Sequence, residues 1–259
     1  MNLNQFVLIV GVVTLPVAGF SQTSYTINNS TADAFLSGTN PTLNYGAAGT
    51  LAIAPASSSK GEFDSVVLFN TASAVSQFNT TYGAGNWTIT GLMLSLSSNF
   101  GIQGEQPSSS LFNTINAGSF GVDWLSYDAW VEGTGGGSGT AGYPGNSAVS
   151  FDSIPTLMSG TVDSLGTYTY TPAGNNNNTY LNYSLALNAN LVADAAAGGN
   201  VSLYFYAADN QFSYLFNSRS FSTGHPELTL TAAPVPEPAA LALAAAGLGT
   251  LLVSRRIKK

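Results

Sequence analysis

Cysteine is absent from this chain of 259 residues, histidine occurs once, and charged residues make up only 7% of it. Without thiols there are no disulfides, no thiolate nucleophile and no thiolate zinc site, so stability must come from apolar packing. Cations are scarcer than anions. The six are Lys60, Arg219, Arg255, Arg256, Lys258 and Lys259, and four of them stand in the last five positions. A body from Gln22 to Pro234 therefore holds two cations against twelve carboxylates, a formal charge of −10. Such a surface repels polyanions, and nucleic-acid binding is not expected, because phosphate neutralisation needs clustered Lys and Arg. Such a body is long enough to build one apolar core.

The two ends differ from the body. Phe6 to Phe20 is an apolar run broken only by Thr14 and Pro16, with small Gly19 and Ser21 placed for cleavage before Gln22. This pattern reads as a secretory signal peptide, although Met1 to Gln5 carries no Lys or Arg. An uncleaved N-terminal anchor is the competing reading. At the other end Val235-Pro236-Glu237-Pro238 leads into the apolar run Ala239 to Val253, closed by Ser254-Arg255-Arg256-Ile257-Lys258-Lys259. Fifteen helical residues rise roughly 22 Å, short of a hydrocarbon core of about 30 Å. Snorkelling of Arg255 and Arg256 recovers part of that deficit, and the basic end stays cytoplasmic by the positive-inside rule. Pro236 and Pro238 favour extended backbone, so a helix should start after them and leave a stiff strip where a processing enzyme can reach. This order of segments resembles the PEP-CTERM sorting tail of exported bacterial proteins. The resemblance implies passage through the secretion machinery and signal peptidase, then handling by an exosortase-type enzyme. It also implies at least transient membrane attachment and delivery to the cell surface or an extracellular polysaccharide matrix.

The body reads as β-sheet. Leu181, Tyr183, Leu185 and Leu187 alternate with Asn182, Ser184 and Ala186, the period of a half-buried strand, and Leu228 and Leu230 repeat it. Val201 to Tyr206 is apolar on both parities, as a central strand should be, and Phe63 to Phe69 is similar. From Trp87 to Ser97 the apolar parity switches, which a bulge at Gly91 would explain. Glycine and asparagine clusters, notably Gly133 to Gly139 and Asn175 to Asn178, punctuate the strands. Helix is expected only at Ala72 to Phe78 behind a Thr71 cap and at Leu191 to Ala197 behind Asn190. Many short strands without alternating helices predict an all-β fold, an antiparallel jelly-roll-like β-sandwich. The domain plan is a signal peptide over 1–21, a β-sandwich over 22–232 and a sorting tail over 233–259. That tail comprises the 235–238 tetrapeptide, a transmembrane segment 239–253 and a basic end 254–259.

A second resemblance spans most of the body. Ala32-Asp33-Ala34-Phe35, Asn44-Tyr45-Gly46, Leu51-Ala52-Ile53, Val66 to Phe69 and Ile89 to Leu96 follow in that order. Trp130 to Gly135, Val149 to Pro155, Phe216-Asn217-Ser218-Arg219 and Pro226-Glu227-Leu228 complete the series. Together they are similar to the DNRLRE-type domain, a jelly-roll-like sandwich of secreted proteins with relatives among carbohydrate-binding modules. The sequence departs from that pattern with Phe151 where Trp is usual and Ser220 where an acid is common.

Candidate site residues cluster before the glycine-rich loop. Trp124, Tyr127 and Trp130 would offer aromatic faces to a sugar, and Asp123, Asp128 and Glu132 are interleaved with them. Spacing by three can equally mean a turn of helix packed on the core. The three carboxylates are the candidate ligands of a structural calcium, with solvated surface acids as the competing reading, since no calcium loop accompanies them. No other cofactor is indicated. His225, beside Pro226, reads as a turn residue, and no nucleophile-elbow motif supports a catalytic triad. The expectation is a non-enzymatic exported surface or matrix protein with a structural or polysaccharide-contacting sandwich, the ligand being a neutral glycan or calcium-bridged acidic partner. The alternative is a secreted glycosidase or lyase that uses surface carboxylates, and a third reading is an architectural coat protein that binds no sugar.

Overall fold

A computed structural model describes residues 21–99, 112, 118–136, 148–170 and 179–235. The expected signal peptide up to residue 20 and the apolar 239–253 segment lie outside the described residues. Eleven strands are assigned: β1 Thr23–Ile27, β2 Ala32–Ser37, β3 Thr50–Ile53, β4 Phe63–Asn70, β5 Trp87–Ser97, β6 Gly118–Leu125, β7 Val162–Tyr170, β8 Tyr180–Ser184, β9 Asn200–Ala207, β10 Tyr214–Asn217 and β11 Glu227–Pro234. Three helices accompany them, α1 Ala72–Tyr82, α2 Ile154–Leu157 after a 3-10 turn at Phe151–Ser153, and α3 Ala189–Ala197. One sheet has the order β1-β11-β5-β8, the other β2-β4-β9-β6-β7, and β3 pairs with β10. Every pairing between these strands is antiparallel.

The period-two pattern decides which face each residue takes. Leu228, Leu230 and Ala232 of β11, Leu92, Leu94 and Leu96 of β5, and Tyr183 of β8 meet Val67 and Phe69 of β4, Phe120 and Val122 of β6, and Val201, Leu203 and Phe205 of β9 in one buried core between the two sheets. Phe120 lies at the centre, edge-on to Tyr183 at 5.1 Å and against Phe212 at 5.2 Å. The parity switch in β5 is a bulge: Thr231 faces Gly91 while Ala232 faces Ile89, leaving Thr90 as the extra residue. Ile89 and Leu92 thus both point inward, as the pattern requires.

β9 and β4 are central strands, each flanked on both sides, and their second parity is buried too. Val66, Leu68 and Tyr204 contact Leu36, Leu125, Trp130, Val149 and Leu157 on the outer face of the five-stranded sheet. The covering layer is the long connection between β6 and β7, which carries α2. The both-parity apolar runs Val201 to Tyr206 and Phe63 to Phe69 called for burial on two faces, but not for the segment that supplies the second layer.

Three local expectations need correction. Helix α1 starts at Ala72 with Thr71 at its N-cap position as expected but runs to Tyr82 rather than Phe78, and the Thr71 hydroxyl donates to Gly199 O (3.2 Å) instead of accepting from a helical N–H. Helix α3 starts at Ala189 behind Asn188, whose Oδ1 accepts from Leu191 N at 2.7 Å, so Asn188 and not Asn190 satisfies the free helical N–H. Leu187, expected inside by alternation, is 43% exposed because β8 ends at Ser184 and the chain turns toward α3. Both long helices occur at crossovers between the sheets, where Ala74 and Phe78 of α1 and Leu191 and Ala195 of α3 enter the main core.

Candidate functional site

Trp124 and Trp130 do not share a face. Trp124 lies on β6 with its ring in the core between the sheets, and its Nε1 donates to Asp194 Oδ2 on α3 at 2.8 Å. Trp130 packs on the opposite side of the five-stranded sheet, donating to Ser202 Oγ at 2.9 Å. Each indole N–H thus has the acceptor it requires, and both residues serve as core. No helical turn connects them, since β6 ends at Leu125 and the chain from Tyr127 to Trp130 is irregular. Tyr127 is half-buried against Trp130's cluster.

The proposed calcium trio is dispersed as well. Asp128 Oδ1 accepts from Ser202 Oγ at 2.6 Å, Glu132 Oε2 pairs with Arg219 Nη1 at 2.7 Å, and Asp123 Oδ1 has no hydrogen-bond partner among the described residues. Among the described residues no three His, Asp or Glu side chains are close enough to hold a metal ion. Because strand residues alternate in direction and the 126–131 connection turns away, proximity in sequence did not become convergence in space. Burial raises the affinity of all three carboxyls for protons, moderated at Asp128 by the Ser202 hydrogen bond and at Glu132 by the Asp33 N–H and Arg219.

The residues that carry the domain resemblance do converge. Asp33 Oδ2 accepts from Arg219 N (2.7 Å), 186 positions away in the chain, and from Ser30 Oγ (3.0 Å). Glu132 accepts from Arg219 Nη1 and from Asp33 N. The Asn44 amide donates to Glu132 O and Val149 O, both at 2.7 Å, and its Oδ1 accepts from Gly46 N and Gly135 N. The backbone is correspondingly tight: a Cβ on Gly46 would stand 2.2 Å from Glu132 O, and one on Gly133, where φ is +78°, would stand 2.4 Å from Asn44 Oδ1. This network fastens five separate segments together. One guanidinium faces two carboxylates in it, and burial pushes Asp33 up to about 7 against the lowering effect of the Arg219 and Ser30 hydrogen bonds.

Two cavities open on the outer layer of the five-stranded sheet. One of about 240 Å³ is lined by Tyr127, Trp130, Val149, Ser153 and Thr156. The other, an open groove of about 380 Å³, is lined by Glu62, Asp64, Phe151, Asp152, Pro155 and Tyr204. At the second, the buried Asp64 carboxylate receives a short hydrogen bond from the Tyr204 hydroxyl. Burial raises Asp64 to about 7, an effect the Tyr204 hydrogen bond reduces and the Glu62 charge increases. Tyr204 is raised likewise by burial and by Asp64. Neither residue stood out in the sequence, yet a signal was present. Asp64 is the only charge in the run Phe63 to Phe69, which otherwise has the composition of a strand buried on both faces.

His225 is half-buried with Nδ1 3.4 Å from Ser218 O. The sorting segment begins where the sheet ends: β11 reaches Pro234, two residues past the expected boundary, and Val235 N donates to Asn86 O at 2.9 Å. Pro236, Glu237, Pro238, Arg255, Arg256, Lys258 and Lys259 lie outside the described residues. Among the described residues no helix is long and apolar enough to cross a membrane.

None of the curated proteins matches the chain. Among solved structures, a cryo-EM structure of a mud crab tombus-like virus aligns over 95% of both chains at 8% identity with a TM-score of 0.26, a likeness too low to bear on fold or function. No family match supports the DNRLRE-type resemblance of the body. Residues 234–259 match the PEP-CTERM protein-sorting motif, so the sandwich is followed directly by a tail that marks export and membrane-associated sorting to the cell surface.

Proposed function

We propose that this is a non-enzymatic exported protein whose β-sandwich is delivered to the cell surface or extracellular matrix, where it contacts polysaccharide through the outer face of the five-stranded sheet. In this reading the N-terminal apolar run is a cleaved signal peptide and residues 239–253 insert in the bilayer until an exosortase-type enzyme acts. The observation that carries it is the sorting motif beginning at residue 234, where the last strand ends. A jelly-roll-like path belongs to the same reading, supported by a chain that crosses between the sheets at β1–β2, β4–β5, β5–β6, β7–β8 and β8–β9.

The two cavities beside the 151–157 segment suit sugar rings, having aromatic walls in Tyr127 and Phe151 and hydroxyls in Ser153 and Thr156. With so few cations in the body, a neutral glycan is the expected ligand class. Binding of the purified protein to a panel of neutral and acidic polysaccharides, with calcium and with chelator, tests the reading. Loss of binding in Tyr127→Ala or Phe151→Ala with the fold intact supports it. A protein that binds nothing on the panel is an architectural coat instead.

One observation favours a second reading, a glycosidase or lyase. The raised Asp64 carboxyl and Tyr204 hydroxyl line an open groove together with Glu62 and Asp152. Release of reducing ends or unsaturated uronates from a polysaccharide, abolished in Tyr204→Phe, would establish it.

A further inference from the structure

Both chain ends leave the sandwich at one place. β1 and β11 pair antiparallel with Thr23 opposite Ala232, so the start of the first strand adjoins the finish of the last. The Tyr82 hydroxyl, at the end of α1, is 2.8 Å from Ser21 O, 2.9 Å from Thr23 Oγ1 and 3.2 Å from Ala232 O, and so ties the two together. Pro234 faces Trp87, and Asn86 O receives the Val235 N–H. Only residues 236–238 separate this anchored point from the apolar run that starts at Ala239. Three residues span at most roughly 11 Å when fully extended.

The chemistry of that end differs from the rest of the body. No charged residue occurs between Asp64 and Glu105, between Ser21 and Ala32, or between Leu228 and Pro236. Thr81, Ala84, Gly85 and Asn86 are exposed there, all small and neutral. The nearest charge at this end lies to one side, on α3, which packs against α1 and carries Asp194, held at 2.8 Å by Trp124 Nε1; the turn and strand ends beside the tail can approach headgroups without stripping water from an ion.

We propose that the end of the sandwich formed by the last turn of α1, the 83–87 turn and the paired ends of β1 and β11 lies against the lipid headgroups while the tail holds the protein in the membrane. This rests on the reading of residues 239–253 as a membrane segment. A tether of three residues keeps this corner at the interface, and the absence of charge in its own segments lets it stay there. β1 starts at the same end, so attachment through either terminus gives the same orientation. The groove at Asp64 and the cavity at Trp130 then sit on a side of the sandwich rather than underneath it.

The native lack of cysteine makes the test direct. Ala84→Cys and Ser222→Cys variants of the full chain are labelled with a small fluorophore and reconstituted in phosphatidylcholine–phosphatidylglycerol vesicles containing nitroxide-headgroup lipid. Residue 222 lies beyond the opposite end of β11, whose eight residues span roughly 25 Å. Quenching is expected to be several-fold stronger at 84 than at 222. Equal quenching, or stronger quenching at 222, in protein that floats with the vesicles overturns the orientation and leaves the tail reading in place. Full chain that does not float with the vesicles overturns both.

Discussion

Moving from pH 5 to pH 8 should make this protein easier to unfold, and Asp64→Asn should remove a defined part of that loss. Asp64 is 4% exposed, and burial raises its pKa from 3.8 to about 7. The folded protein therefore retains a proton that the unfolded chain releases. The resulting stability is fully present below about pH 4, declines as pH rises towards 7 and levels off above it. Between pH 5 and pH 8 about two units of that difference are lost, and at 1.36 kcal/mol per unit the cost is about 2.5 kcal/mol. In a domain of this size that is about 5–10 °C in Tm. Asparagine keeps an oxygen for the Tyr204 hydroxyl and cannot ionise. Thermal unfolding at both pH values, followed by circular dichroism, should show a smaller drop for the variant by that amount, while Asp33, also at about 7, continues to contribute in both proteins. Equal drops in the two proteins, or a wild-type Tm that increases from pH 5 to pH 8, would refute the reasoning.

Other expectations concern packing and the Asp33 network. Phe120→Ala should destabilise by about 3–5 kcal/mol in urea unfolding, because its ring touches both sheets and the site cannot collapse. Gly133→Ala and Gly85→Ala both place alanine at a positive φ, but only the former drives a Cβ into Asn44, so its Tm should fall several degrees further. Glu132→Ala strips partners from Arg219 and from Asp33 N and should cost about 1–3 kcal/mol. Glu132→Gln, which retains an acceptor, should cost less in the same assay.

Trp124 and Trp130 illustrate what a linear reading can and cannot supply. Their clustering suggests a shared sugar-binding surface and their spacing a helical turn on the core, but the first belongs to a strand facing the main core and the second to a connection folded over the opposite side. Replacing either would lower stability and mimic a loss of binding, so Tyr127 and Phe151, at the cavity walls, are the better probes. Asp33, Asn44, Glu132 and Arg219 present the converse case. Each was visible as part of a motif, yet nothing local indicated that they bond to one another, because their contacts join elements from both ends of the chain.

Features set by neighbours along the chain can be read without the fold. The sorting tail is contiguous, the strand faces follow period two, and the Gly91 bulge is written in a parity switch within a single strand. Pairing between distant segments sets which carboxylates are buried, which aromatics line a cavity, and that the first and last strands end side by side. Those outcomes depend on pairings between distant strands, such as β1 with β11 and β4 with β9, and on a connection that buries a second face. A residue's own neighbours in sequence carry no information about the desolvation or the partners that such pairings impose.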